Sequence, residues 1–151
     1  MTVLQRDKEE ATRQLVEATS CQRIGCCPNG WTLFRWKCLW VSNEWKAWED
    51  SKRDCERQSS QLLILKPWDA GTLGDAAGIT SLLQSNEFWI GLKGTYNWFW
   101  YWVDGSLYAG TQKPEGDGEC LKISQRTTKR ERCSMHLRYV CEKAASSWPI
   151  D

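Results

Sequence analysis

The sequence predicts an α+β domain stapled by disulfides, and three observations carry that prediction. Short aromatic-rich strand candidates separated by turn residues run from Cys27 to Glu142, with two helical stretches set among the early ones. Segregated helices and hairpin-like strands argue against a parallel α/β sheet. The chain holds 8 cysteines and 11 tryptophans in 151 residues, and thiols at that density suit an oxidising compartment, where disulfides persist. Its length is that of one ordinary domain with a short appendage.

Taken in order, residues 1–20 lack Gly and Pro and are rich in Glu, Arg, Gln and Ala, which predicts a helical stalk fragment over 1–21. A heptad reading places Met1, Leu4, Lys8, Ala11, Leu15, Ala18 and Gln22 on one seam of a weak coiled coil. A linker is expected over 22–26, the main domain over 27–143 and a tail over 144–151. Pro28-Asn29-Gly30 reads as a turn, and Trp31 to Val41 as an extended segment carrying Cys38. Ser42 or Asn43 is the expected cap of a first helix that buries Trp48 and Cys55 and ends near Ser59-Ser60. Leu62 to Leu65 reads as a short apolar strand, and Asp69 to Gln84 as a second helix weakened by Gly71, Gly74 and Gly78. Phe88 to Leu92, Trp98 to Val103, Cys120 to Ser124 and Arg138 to Glu142 are further strands, rich in aromatic or branched residues.

Composition narrows the function classes. Hydrophobic residues make up 41% and charged residues 26%, the balance of a globular protein. The longest apolar runs fall far below the roughly 18 residues of a membrane-spanning helix. A net charge of +1 confines any polyanion-binding surface to a local patch. Structural zinc is disfavoured because no C-x-x-C spacing occurs and His136 is the sole histidine. The N-terminus lacks the apolar stretch of a secretory signal, so the expectation is a domain taken from a longer precursor.

The ordered motifs resemble those of the C-type-lectin-like domain. They stand as Cys27-Pro28-Asn29-Gly30-Trp31, Trp48-Glu49 leading to Cys55, Trp89-Ile90-Gly91-Leu92, Trp100 to Gly105, Cys133, and Tyr139-Val140-Cys141-Glu142. The resemblance implies a C-type-lectin-like fold with two helices, antiparallel sheets and a long loop region. It also implies the pairings Cys27 with Cys38, Cys55 with Cys141, and Cys120 with Cys133. Cys21 and Cys26 fall outside that set and are left to pair with each other or across a dimer. The family places Trp89, Trp100 and Trp102 inward, whereas Trp36, Trp40, Trp45, Trp68 and Trp98 have no assigned position, so some are expected at an interface.

True lectins of the family hold calcium with a Glu-Pro-Asn-like and a Trp-Asn-Asp-like triplet. Here those places fall on Lys113-Pro114-Glu115 and Thr128-Lys129-Arg130. Calcium takes about 6–8 oxygen ligands, so cationic side chains there remove donors and add repulsion. No cofactor and no metal is therefore expected, and Glu115, Asp117 and Glu119 read as a solvated acidic loop.

Loss of the calcium ligands together with a helical stalk resembles the lymphocyte and natural-killer-cell receptor branch. The doubled Cys26-Cys27 and the Trp148-Pro149 tail are similar to its B-cell inhibitory co-receptor type. That resemblance implies the extracellular portion of a single-pass type II plasma-membrane protein, a homodimer, and a protein ligand on another cell, with a semaphorin among the candidates. It also implies a nucleoprotein as a second class of ligand. Residues 122–143 carry seven cations, Lys122, Arg126, Lys129, Arg130, Arg132, Arg138 and Lys143, against two carboxylates. The expected ligand-binding residues are Lys113, Arg126, Lys129, Arg130, Arg132 and Trp98, on a surface facing an acidic partner. The alternatives are a calcium-independent glycan or polyanion binder, or a thiol enzyme using Cys21 and Cys26. Catalysis has no support in motifs: there is no phosphate-binding Gly-rich loop and no serine-nucleophile signature.

Overall fold

A computed structural model describes residues 19–22, 25–65, 72–94, 99–108 and 115–146. Their contacts divide into two compact units, one containing the chain up to Trp40 and from Lys143 onward, the other Val41–Glu142.

In the first unit, β1 (Thr19–Gln22) and β2 (Gly25–Pro28) form an antiparallel ladder with Cys21 opposite Cys26. Helix was expected through residue 21 and a linker over 22–26. The backbone instead extends from Thr19, because β2 supplies ladder partners and tertiary pairing overrides intrinsic propensity. Residues 1–18, which hold the rest of the expected stalk, lie outside the described residues. The segment expected to run extended from Trp31 to Val41 is a hairpin. β3 (Thr32–Phe34) pairs with β4 (Lys37–Val41), and Arg35 turns the chain with a left-handed φ of 56°. The Cys27–Cys38 disulfide joins Cα atoms 5.4 Å apart, and Leu33 with half-buried Trp31 and Ala145 packs around it. The expected tail from 144 is tied down at its start: Ser146 and Cys26 exchange backbone hydrogen bonds of 2.8 and 3.0 Å. Residues 147–151 lie outside the described residues.

The second unit opens with α1 (Trp48–Arg57), which buries Trp48, Ser51 and Cys55. Its N-cap is Ala47 and not the expected Ser42 or Asn43. Ser42 is used elsewhere: its hydroxyl accepts from the Tyr139 amide at 3.0 Å and donates to the Glu44 carbonyl at 2.7 Å. In the absence of a side-chain cap, Glu49 and Asp50 place acidic charge in the first turn, where it suits the helix dipole. The helix stops at Arg57 with Ser59 left-handed, close to the expected end.

The expected strand Leu62–Leu65 shrinks to the ladder β5 (Gln61–Leu62). Leu63, Ile64 and Leu65 are buried without a continuous strand partner, and the buried Glu142 carboxylate accepts from the Ile64 amide at 2.6 Å. α2 spans Thr72–Leu83 and buries Ile79 and Thr80; residues 66–71, whose last three are the start of the helix expected over Asp69 to Gln84, lie outside the described residues.

Five strands complete this unit in the spatial order β7-β6-β9-β10-β8. They are β6 (Glu87–Gly94), β7 (Trp100–Trp102), β8 (Glu115–Gly116), β9 (Cys120–Ser124) and β10 (Thr127–Glu131). β11 (Val140–Ala144) begins in this unit and pairs with β5 in antiparallel fashion. The core is Phe88, Trp89, Ile90 and Leu92 of β6, Leu121 and Ile123 of β9, and Tyr139 and Val140, all 2% exposed or less. Gly91 is required in β6 because a Cβ there would lie 2.8 Å from the Leu62 carbonyl oxygen, while its amide donates to Leu63 at 2.7 Å. Cys55–Cys141 and Cys120–Cys133 close the unit with Cα separations of 5.4 and 5.2 Å.

Candidate functional site

The site grows from β10, a strand that hydrophobic patterning does not reveal, since Thr127-Thr128-Lys129-Arg130-Glu131 has no apolar face. Backbone ladders hold it on both sides, antiparallel to β9 and parallel to β8. Lys129 stands opposite Lys122 on one neighbour and Glu115 on the other. That register sets Glu115, the last residue of the first triplet that the resemblance aligns with calcium ligands, opposite Lys129 of the second, while Lys113 and Pro114 lie outside the described residues.

The side chains there do not fit a calcium ion. Residues directly opposite share a sheet face, so Lys129 shares one with Lys122 and Glu115. Arg130 takes the other face, donating from Nε to the Gly118 carbonyl at 3.0 Å with its guanidinium 5.8 Å from the Trp100 ring centroid. Glu115, Asp117 and Glu119 are exposed, and among the described residues no group of three or more His, Cys, Asp or Glu is arranged to hold a metal. Gly118 itself, at φ 123°, crosses so close to the Glu131 carbonyl that a Cβ would collide with it.

The cations expected to bind ligand divide into two groups. Arg130 is an anchor of the Asp117–Glu119 turn. Arg126, Lys129 and Arg132 make no ion pair among the described residues, and Arg126 and Arg132 are exposed. Lys113 and Trp98 lie outside the described residues. Much of the remaining positive charge of this region is neutralised or stacked. Lys122 reaches both Glu87 and Glu131 at 2.7 Å, with side chains of Lys122 and Glu131 only 13% and 17% exposed. Burial works against the ammonium of Lys122, but hydrogen bonds to Glu131 and Glu87 outweigh it and raise its pKa. Burial is the largest single influence on Glu131 and works to raise it, but the bond from Lys122, the bond from the Arg132 amide and the charges of both residues together hold that carboxyl below the usual range. Arg138 lies 4.8 Å over the ring of Trp45.

Of the tryptophans, Trp89, Trp100 and Trp102 are buried, as the motif implies, and Trp89 donates to the Lys46 carbonyl at 2.9 Å. Trp36 and Trp45 are exposed at 66% and 56%, Trp40 is half-buried with its ring 6.2 Å from that of Trp31, and Trp68 lies outside the described residues. Sequence reasoning missed the ion pair of Lys93 with Glu49 at 2.7 Å, which bridges β6 and α1. Only the lysine that follows the apolar run Phe88 to Leu92 in β6 signalled it. Cys26 is disulfide-bonded, and the β1–β2 register sets Cys21 opposite it.

Comparison with known proteins fits this geometry. The Lectin C-type domain family matches residues 44–143. Killer cell lectin-like receptor subfamily F member 1 of Macaca fascicularis is 31% identical over 140 residues, 89% of this chain and 59% of that protein. Killer cell lectin-like receptor subfamily B member 1B allele B of Mus musculus is 30% identical, covering 83% of this chain and 57% of the relative. The chain thus spans less than two thirds of the length of these relatives, which are named as receptors and not as enzymes. The mouse scavenger receptor C-type lectin carbohydrate-recognition domain superposes with a TM-score of 0.64 at 27% identity, covering 82% of this chain and all of that one. Human lithostathine, at 23% identity and a TM-score of 0.65, shares the fold. With the three family disulfides in place and the motif tryptophans inward, the chain belongs to the C-type lectin domain family, on the branch of the killer-cell and lymphocyte receptors.

Proposed function

We propose that this domain is the extracellular ligand-binding part of a type II immune-cell surface receptor that recognises a protein ligand without calcium and regulates lymphocyte signalling. The observation that carries the reading is the Lys129 register. Where a calcium lectin converges carboxylates and amides, this chain sets Lys129 opposite Glu115 and Lys122, with Arg130 turned to the other face of the sheet. Arg126, Lys129 and Arg132 are the residues that attract an acidic partner; Lys113 and Trp98, the other residues expected to bind ligand, lie outside the described residues. Because such attraction acts through exposed charge, it raises the association rate and weakens with salt. Homodimerisation and a semaphorin ligand belong to this reading through the family branch. We also propose that Cys21 and Cys26 pair with each other, because directly opposed residues of an antiparallel ladder have a disulfide-compatible Cα separation.

The test is a binding screen of the purified domain against leukocyte surface proteins, semaphorins included, with and without chelator. The expected result is binding that survives chelation and loses about tenfold in affinity in Lys129→Glu/Arg132→Glu, with a shallower salt dependence. Binding abolished by chelator contradicts the reading. The same cations support a second reading, a polyanion or nucleoprotein binder. Salt-sensitive retention on heparin that matches or exceeds retention by every protein tested favours it.

A further inference from the structure

Trp45 and Arg138 stand at directly opposed positions within the second unit, because Lys46 and Leu137 beside them exchange backbone hydrogen bonds of 2.9 and 3.0 Å in an antiparallel bridge. Opposed residues share a face, and here the Arg138 guanidinium lies 4.8 Å from the Trp45 ring centroid. The Arg138 carbonyl also accepts from the Trp89 amide at 2.8 Å, so β6 holds the cation's backbone from its other side. The pair is firmly mounted, yet Trp45 is 56% exposed with the guanidinium already over its ring.

That guanidinium is stacked but not paired. Among the described residues no ion pair or hydrogen bond engages it, and Lys46 and Glu44, the charges flanking Trp45 in sequence, neutralise each other at 3.3 Å. Its Nε is buried without an acceptor. Of the three guanidinium nitrogens only Nε is both buried and unpartnered, so the terminal Nη1 and Nη2 keep accessible surface on a half-buried residue. Those two donors form the fork that matches a carboxylate bidentately.

Charge and exposure select the occupant. One uncommitted cation beside one exposed indole complements a single carboxylate next to an apolar group, a combination that an acidic protein segment supplies; binding a polyanion draws on many cations along a backbone. Arg and Trp are also the side chains that most often dominate protein interfaces. Stacking already restrains Arg138, so pairing costs less side-chain entropy.

We propose that Trp45 and Arg138 form an anchor for an acidic side chain of a partner protein, whose carboxylate takes Nη1 and Nη2 of Arg138 while an apolar neighbour covers the open part of the Trp45 ring. The proposal deepens the receptor reading, on which it rests for a protein as the ligand, and adds a contact separate from the β10 cations.

The test is selection of a random-sequence peptide library, displayed on phage, against the folded domain, followed by titration of the enriched peptides into the ¹⁵N-labelled domain. The expected result is enrichment of peptides with Asp or Glu beside an apolar residue, moving the Trp45 indole signal with a dissociation constant of about 100 µM or lower. Arg138→Gln, Trp45→Ala and replacement of the peptide's acidic residue by its amide should each weaken binding about tenfold, and Arg138→Lys about threefold. Neither Arg138→Gln nor Trp45→Ala takes a hydrogen-bond partner from another side chain, so both variants should fold. Lys129→Glu should leave the titration unchanged; peptide binding that persists while every leukocyte protein fails to bind contradicts the receptor reading alone. No enrichment of acidic peptides, equal affinity in the Arg138→Gln and Trp45→Ala variants, or an unmoved Trp45 signal would each overturn the proposal. So would an oligothymidylate that binds more tightly than the peptides and is weakened by the same variants, which would assign the pair to nucleic acid.

Discussion

Tyr139 and Asp54 stand 85 residues apart in sequence, yet the phenol donates a hydrogen bond to the carboxylate while Arg57 donates to the same group. Burial pushes Asp54 upward, but those bonds outweigh it and hold the carboxyl below its ordinary value of 3.8. Burial and the same carboxylate push Tyr139 well above its ordinary value of 10.0. For Asp54 the folded-state pKa is the lower one, so its stabilisation is present above about pH 4 and is lost as pH falls through the folded value. For Tyr139 the folded-state pKa is the higher one, so its contribution is present below about pH 10 and declines above it. Tyr139→Phe should therefore cost about 1–2 kcal/mol at pH 7, and flatten the acid limb of the stability profile, in urea unfolding between pH 7 and 2.5. The tryptophan placements were legible at this scale because Trp89, Trp100 and Trp102 sit in recurring motifs. The Tyr139–Asp54 bond was not, since neither residue alone signals a partner so distant in the chain.

At the level of elements, legibility followed apolar content. β6 and β9 announce themselves through Phe88-Trp89-Ile90 and Leu121 with Ile123, whereas β10 is polar throughout and is a strand only because β8 and β9 supply its hydrogen bonds. The ion pairs of Lys122 with Glu87 and Glu131 add to that ladder on β9. Lys122→Met should destabilise the domain by about 1 kcal/mol and speed amide exchange in β10 more than in β6, read by hydrogen exchange. Unchanged exchange in β10 would show that the backbone ladder suffices. The cap of α1 was misread for a related reason. Ser42 has the chemistry of an N-cap, but its hydroxyl is committed to Tyr139 and Glu44, and Ala47 takes the position. Local propensity is a prior that a distant partner overrides.

At the scale of the whole molecule, the disulfide framework was legible through the family resemblance, and the structure carries the same pairs, Cys27–Cys38, Cys55–Cys141 and Cys120–Cys133. Cys55–Cys141 closes the longest loop, with a sequence separation of 86, and ties α1 to β11. Loop-closure entropy assigns it about 4–5 kcal/mol, a large part of a typical domain stability of about 5–15 kcal/mol. Cys55→Ala/Cys141→Ala should therefore be largely unfolded at 37 °C by circular dichroism, whereas retention of near-native stability would contradict the entropic account. The charge of the proposed recognition surface was only partly legible: counting cations along 122–143 could not show that Lys122 is neutralised and Arg130 is an anchor. In the proposed function, covalent bridges and packing, and no metal, shape the recognition surface. A ligand that binds only the folded state raises the melting temperature by mass action. Thermal unfolding in calcium at about 100 times a typical extracellular-module Kd of about 1 mM would be impractical, so the direct measurement is calorimetric titration of calcium into the domain, paired with melting in chelator and in about 10 mM calcium. The account predicts no binding heat and coincident melting curves; saturable calcium binding with a raised melting temperature would contradict it.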